Sequence, residues 1–167
     1  RMISIFYPQM NMQVCPYCHR ATMLLPGSTH AAHVSKDQGP NPFVTNIHHS
    51  TNANNTFRTA LWTGNRLQLT LMSLQPGEDI GLEVHPHTDQ FLRIEQGHGV
   101  TQMGNSRENL TFQQLVGPGS AVFIPAGTWH NLTNTGHMPV KLYSIYAPPN
   151  HPFGTVHETK AEAEKEE

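Results

Sequence analysis

The chain has 167 residues, enough for one domain around one core, and 37% of them are hydrophobic. A net charge of −2 with 13% charged residues gives no electrostatic basis for binding nucleic acid, and no apolar run approaches the length of a membrane span. The 12 histidines outnumber the 10 lysines and arginines, so the charge varies most between about pH 5 and 8; with no apolar signal segment at the start, a cytoplasmic protein is expected.

In chain order, residues 1–53 come first and are rich in Met, Gln, Asn, His, Pro and Gly, with no sustained period. They are expected to form an irregular arm, mobile or draped over a partner subunit. Within it lies Cys15-Pro16-Tyr17-Cys18, followed by His19. Four readings of the thiol pair stand side by side: two reduced thiols, half of a second zinc site, a redox dithiol, and a c-type haem attachment signal. His19, His30, His33 or a second chain would complete the zinc site.

Residues 54–150 read as short strands separated by turn signals. The expected strands are 58–63, 66–74, 81–85, 90–96, 99–103, 121–124, 128–133 and 140–146. Many short strands with no long helical period indicate an all-β sandwich or barrel. In 66–74, Leu67, Leu69 and Leu71 share one face, and Met72 and Leu74 the other. A strand apolar on both faces is buried on both, so its outer face needs cover from the arm or a second subunit. Residues 151–167 end in K-A-E-A-E-K-E-E, expected as a solvated helical or frayed tail.

Two stretches carry a resemblance. G-E-D-I-G-L-E-V-H-P-H-T-D-Q-F-L-R-I-E-Q-G runs from Gly77 to Gly97, and G-S-A-V-F-I-P-A-G-T-W-H-N-L-T-N from Gly119 to Asn134. Together they resemble the two signature motifs of the cupin family. The flanking F-R-T-A-L-W-T-G and K-L-Y-S-I-Y-A-P-P resemble a narrower group of small single-domain bacterial cupins, often labelled mannose-6-phosphate isomerase-like. The resemblance covers roughly residues 54–150. It implies a cupin-type double-stranded β-helix, a jelly-roll barrel, behind the irregular N-terminal arm, and a homodimer.

The motif register places Glu83 and His85 at the two histidine positions of the first motif, Gln90 at its glutamate, and His130 at the histidine of the second. This sequence therefore departs from the family pattern at Glu83 and Gln90. The resemblance implies one divalent transition metal (Fe, Mn, Ni, Co or Zn) held by Glu83, His85, Gln90 and His130. Side chains alternate along a strand, so Glu83 and His85 point the same way, while Gln90, Leu92 and Ile94 share one face of theirs. A divalent cation offsets the cost of burying the carboxylate. A literal H-x-H reading would instead use His85 and His87.

Two function classes follow. One is a small metal-dependent enzyme of isomerase or dioxygenase type acting on a polar small molecule, with His87, Tyr143 or Tyr146 moving a proton. The other is a non-catalytic metal- or ligand-binding module. A sugar-phosphate substrate would want a cationic clamp, for which Arg58, Arg66, Arg93 and Lys141 are candidates. An open cavity beside the metal and an ionisable side chain separates the enzyme from the module.

Overall fold

The computed structural model describes residues 12–14, 21–23 and 36–166. The chain divides into two units, residues 1–32 and 33–167. In the first, β1 (Met12–Val14) and β2 (Ala21–Met23) pair antiparallel with Met12 opposite Met23. Cys15, Cys18 and the zinc site suggested for them lie outside the described residues.

The second unit begins with α1 (Ile47–Ala53), followed by β3 (Arg58–Thr63), β4 (Gln68–Leu74), β5 (Asp89–Gln96) and β6 (Gly99–Gly104). Then come β7 (Phe112–Val116), β8 (Ala121–Ile124), β9 (Trp129–Asn134), β10 (Val140–Ala147), β11 (Val156–His157) and α2 (Lys160–Glu166). A six-stranded sheet has the order β11-β3-β4-β10-β5-β8, and a three-stranded sheet the order β7-β6-β9. Val116 and Leu132 of the small sheet share one core with Met72, Ile94 and Leu142 of the large one. The expected barrel is thus two sheets facing each other across that core, and among the described residues neither closes on itself.

The inner face of the large sheet changes character along the strands. Met72, Leu142 and Ile94 form one rung across β4, β10 and β5; Thr70, Ser144 and Leu92 form the next; Gln68, Tyr146 and Gln90 form the third. All nine side chains are buried. The first rung and Leu92 belong to the core, and the polar third rung marks the end where buried groups need partners.

The expected strand 81–85 is instead a bridged irregular segment. Residues 77–83 follow β9, with Gly77 N–H donating to Asn134 O (3.1 Å), Ile80 N–H to Leu132 O (3.1 Å) and Glu83 N–H to His130 O (3.1 Å). Gly81 interrupts the pairing because its φ is +93°, a left-handed conformation that breaks a strand. Its N–H donates to Asp79 Oδ1 at 2.9 Å, closing an Asx turn. Gly97 has a different reason to be glycine: with φ at +81°, a Cβ there would sit 2.7 Å from Pro139 O.

α1 lies within the stretch expected to be irregular. Its N-cap is Asn46, whose side chain accepts from His49 N–H at 3.0 Å. It packs against β10, β5 and β4, and Lys141 Nζ reaches Asn54 O and Asn55 Oδ1 just beyond its end. α1 thus covers part of the outer sheet face, with His48 Nδ1 2.6 Å from Glu95 Oε2. β7 is not among the expected strands; it is an edge strand whose Phe112 and Leu115 are exposed, with no clean alternation to reveal it.

The tail is anchored rather than solvated, first by the pairing of β11 with β3 and then through α2. Ala163 of α2 is 2% exposed, and Lys160 Nζ bonds Asp79 Oδ1. Burial alone would raise the Asp79 carboxyl, but bonds from Lys160, Asn131 and Gly81 N–H outweigh it and hold it below its usual value. A depressed carboxyl pKa stabilises the fold above the unfolded value near 3.8 and loses that stabilisation as pH falls through the folded value. The pair is partly exposed and screened, so it is worth at most about 1 kcal/mol. Lys160→Met should lower the melting temperature by about 2 °C at pH 7 and by nothing measurable at pH 2, read by calorimetry. An undiminished difference at pH 2 would assign the effect to packing.

Candidate metal centre and its cavity

Three potential ligand atoms converge from separate segments. Glu83 Oε1 lies 3.2 Å from His85 Nε2 and 3.4 Å from His130 Nε2, and all three atoms lie within 4.8 Å of one another. His85 is 9% and His130 1% exposed. Position is set by backbone: Glu83 and His130 exchange both N–H···O bonds (3.1 and 2.9 Å), and His85 O accepts from Gly127 N–H at 2.8 Å. The loop carrying Glu83 and His85 is therefore fixed to β9 and to the turn before it.

The tautomer of His130 follows from its neighbour. Nδ1 lies 2.9 Å from Thr128 O, and a carbonyl only accepts. Nδ1 therefore carries a proton, and Nε2 faces Glu83. Burial alone would raise the Glu83 carboxyl, but His130 and His85 beside it hold it at about 2. The carboxylate is anionic across the physiological range.

Gln90 presents a further buried oxygen from the polar rung of β5. Its Nε2 donates to Ser144 Oγ at 3.0 Å, which orients the amide and leaves Oε1 as the remaining acceptor. Glu83 Oε1, His85 Nε2, Gln90 Oε1 and His130 Nε2 are all buried without a hydrogen-bond partner. Unsatisfied buried polar atoms are rare and costly. One carboxylate oxygen, two imidazole nitrogens and one amide oxygen are the donor set a divalent transition ion takes, so the residues present fit such an ion.

The other sequence candidates separate. His87 is exposed in the turn after Pro86 and is not in the cluster; Thr88 and Gln90, not His87, turn inward. Tyr146 is fully buried on the inner face of β10, its ring 5.8 Å from that of His85. Tyr143 is a correction. It alternates to the opposite face, where it meets Phe91 (6.2 Å between rings) and lines an outer groove. Of the four clamp candidates, Arg58 alone lines the cavity beside Glu83 and His85. Arg66 is exposed, Arg93 points outward beside Glu95 (3.8 Å), and Lys141 is taken up by Asn54 and Asn55.

That cavity has a volume of about 360 Å³. Its outer wall is a loop absent from the sequence expectations. His151 sits edge-on to Tyr146 at 5.1 Å between rings. Gln68 holds the loop, donating to His151 O (2.9 Å) and accepting from His151 N–H (2.9 Å) and Asn150 N–H (3.2 Å). Burial, reinforced by the Arg58 charge, depresses the His151 imidazole to about 3. Burial pushes the Tyr146 phenol up from its usual value. At neutral pH the cavity wall thus carries a neutral imidazole, with the protonated phenol of Tyr146 buried beside it. His151 follows Pro148, Pro149 and Asn150, a turn signal that marks a loop but not that it folds back over the sheet.

Residues 70–146 match the family described as "Cupin domain". The protein YrkC of Bacillus subtilis (strain 168) is 69% identical over 128 residues, 77% of this chain and 69% of its own length. A crystal structure of BH2720 from Bacillus halodurans superposes with a TM-score of 0.77 at 64% identity, covering 78% of this chain and 98% of that one. A protein of Klebsiella pneumoniae subsp. pneumoniae MGH 78578 described as having a double-stranded β-helix domain shares the fold, with a TM-score of 0.50 at 24% identity, covering 61% of this chain and 84% of that one. The chain belongs to the cupin family, and its two facing sheets are the cupin-type double-stranded β-helix.

Proposed function

We propose that this protein is a small metal-dependent enzyme, with one divalent ion held by Glu83, His85, Gln90 and His130, acting on a polar small molecule in the adjoining cavity. The observation that carries this reading is the convergence of three buried donor atoms, Glu83 Oε1, His85 Nε2 and His130 Nε2, at a cavity lined by Glu83, His85 and His151. A purely structural ion needs no such space. When bound, the ion supplies Lewis-acid polarisation of a substrate oxygen, or O2 chemistry if it is iron. The chain's own groups suit proton transfer: Tyr146 offers a phenolic proton at Oη, and His151, held neutral, offers an imidazole nitrogen. This favours an isomerase type over a dioxygenase. His87, exposed in its turn, takes no part.

The test is turnover of hydroxy-carbonyl compounds, keto acids, sugar phosphates and catechols, under air and under nitrogen. Activity should vanish with a chelator and return with Fe, Mn, Ni, Co or Zn. Turnover under nitrogen supports the isomerase type, and turnover only under air the dioxygenase. No metal-dependent turnover across the panel would leave the binding module as the better account.

Gln90 permits a sharper check. Gln90→Glu adds a second carboxylate, which should raise divalent-ion affinity roughly tenfold and lower the melting temperature of the metal-free protein, where two carboxylates repel. Titration with Mn and Zn reads the first effect and calorimetry the second. Unchanged affinity would place Gln90 outside the coordination sphere.

The outer face supports a homodimer. A groove of about 760 Å³ is lined by Phe43, Val44, Leu61, Trp62, Leu69 and Ile145 among others, and Val44 is 95% exposed. An apolar surface of this kind marks an association site. Sedimentation should give a dimer for the wild type, and Val44→Asp with Leu67→Asp should give a monomer that keeps its metal. A monomeric wild type at micromolar concentration would remove the dimer.

A further inference from the structure

We propose that His151 is a substrate contact, held in place in advance, whose imidazole bonds one oxygen of a small molecule while a second oxygen of that molecule faces the metal ligands. The inference rests on the metal-dependent reading above. Loops are as a rule the mobile parts of a fold, yet the loop carrying His151 is tied at both ends by one hydrogen-bonded network. Gln68 is fully buried and uses its whole amide there. Its Nε2 donates to His151 O and to Thr63 Oγ1, both at 2.9 Å, and its Oε1 accepts from His151 N–H (2.9 Å) and Asn150 N–H (3.2 Å). Thr63 Oγ1 in turn donates to Asp37 Oδ2, which also accepts from Gly154 N–H at 3.0 Å. Asp37, Thr63 and Gln68 thus form one chain of bonds that grips the loop before and after Pro152. An apolar side chain at position 68 would be cheaper to bury than an amide, so fixing the loop is what the glutamine contributes.

What the network positions is the imidazole. The Tyr146 ring meets two imidazoles edge-on, that of His85 at 5.8 Å and 79° and that of His151 at 5.1 Å and 87°. His151 borders the same cavity as Glu83 and His85, and its Nε2 is buried with no hydrogen-bond partner. A nitrogen left unpaired in this way is costly, and an oxygen of a bound molecule supplies the missing bond. In either tautomer of the neutral ring Nε2 makes one such bond, as donor or as acceptor. Burial keeps the ring neutral at pH 7, so the contact recognises an oxygen by hydrogen bonding and not by charge. A volume of about 360 Å³ corresponds to on the order of ten water molecules, which suits a molecule of a few carbons. The class that fits is a small hydroxy-carbonyl compound or polyol, with one oxygen toward the metal ligands and another at His151. A contact fixed before binding discriminates well, because an analogue without the second oxygen leaves Nε2 unpaired.

The test is calorimetric titration of the protein, with and without added Mn, with bound Mn measured in every sample. The probes are hydroxyacetone, dihydroxyacetone and 1,3-propanediol, set against the one-oxygen compounds acetone and 1-propanol. At least one of the first three should bind the Mn-loaded wild type about tenfold or more tightly than either one-oxygen compound. In His151→Phe, which keeps a ring against Tyr146, that preference should largely disappear while Mn content stays at the wild-type level. His151→Gln, which restores a hydrogen-bonding group, should recover part of it. Gln68→Met should weaken the preference several-fold and speed amide hydrogen exchange at Asn150 and His151, again with Mn content unchanged. The wild-type comparison needs no variant, so the proposal stays testable if a variant does not fold. Equal binding of the two groups of compounds, no binding of the first three at about 100 mM, or an unchanged preference in folded His151→Phe each overturn it. An unchanged preference in folded Gln68→Met overturns the positioning by the network. Mn uptake without any preference defeats this inference and leaves the metal reading intact. If no Mn is taken up but a preference exists that His151→Phe removes, the contact stands and the metal reading falls.

Discussion

We expect Glu83→Ala and His130→Ala each to lose most bound divalent metal, with affinity down by at least about a hundredfold, while His87→Ala keeps a wild-type content. Glu83 Oε1 sits between the two imidazole nitrogens at 3.2 and 3.4 Å, so its removal takes away the charge around which the cluster is arranged. His130 is fixed by its bond to Thr128 O and by both backbone bonds to Glu83, so no other group can take its place. His87 points into solvent. Elemental analysis of untagged protein reads the result, with circular dichroism confirming that each variant is folded. Full metal retention in His130→Ala would sink the site. Loss in His87→Ala but not in Glu83→Ala would transfer the site to His85 and His87. Metal binds the native state and not the unfolded chain, so the wild type should also melt higher with added metal, by an amount that rises with ion concentration; the two ligand variants should show no such rise.

Much of this centre was legible because its information is local. The Glu83 and His85 pairing needs only side-chain alternation, and the second motif fixes His130 within one strand and its preceding turn. The faces of β4 and β5 were also readable: Leu69 and Leu71 against Met72 and Leu74, Gln90 with Leu92 and Ile94 against Phe91 and Arg93. Alternation could not give phase for the tyrosines. Tyr143 and Tyr146 differ by three positions and so lie on opposite faces, but choosing the inward one requires knowing that Leu142 pairs with Met72 and Ile94.

What was not legible is non-local. Gln68 reads as one polar residue in an apolar strand, yet it anchors a loop more than eighty positions away. Arg58 reads as one of four candidate cations with nothing to single it out, and only the pairing of β3 between β4 and β11 places it inward. α1 escaped because I-H-H-S-T-N-A has no amphipathic stripe; its capping residue and its packing on the outer sheet stabilise it, not its period. The same holds for Asp37, which sits in a stretch of Gly, Pro and Asn that gives no sign of a buried carboxyl group.

Asp37 is where that omission has its largest expected consequence. Its side chain is buried and accepts four hydrogen bonds. Oδ1 receives Gly39 N–H and Thr63 N–H, both at 2.9 Å, and Oδ2 receives Thr63 Oγ1–H at 2.6 Å and Gly154 N–H at 3.0 Å. One residue thus ties the segment before α1 to the end of β3 and to the loop that follows His151. Removing a shared buried acceptor leaves donors unsatisfied, at about 1–3 kcal/mol for each one that water cannot reach. Some of the four lie near the surface and rehydrate, so Asp37→Ala should cost about 3 kcal/mol in total, or roughly 6–12 °C in melting temperature for a chain of this size. Asp37→Asn retains one oxygen but turns an amide N–H2 toward two donors, so it should recover little of the loss. Calorimetry at pH 7 reads both. The metal ligands are held by β9 and the 77–85 segment rather than by Asp37, so metal content per folded chain should stay at the wild-type level. A melting temperature within 1 °C of wild type for Asp37→Ala would mean that solvent replaces all four bonds and that the segment before α1 is not part of the cooperative fold.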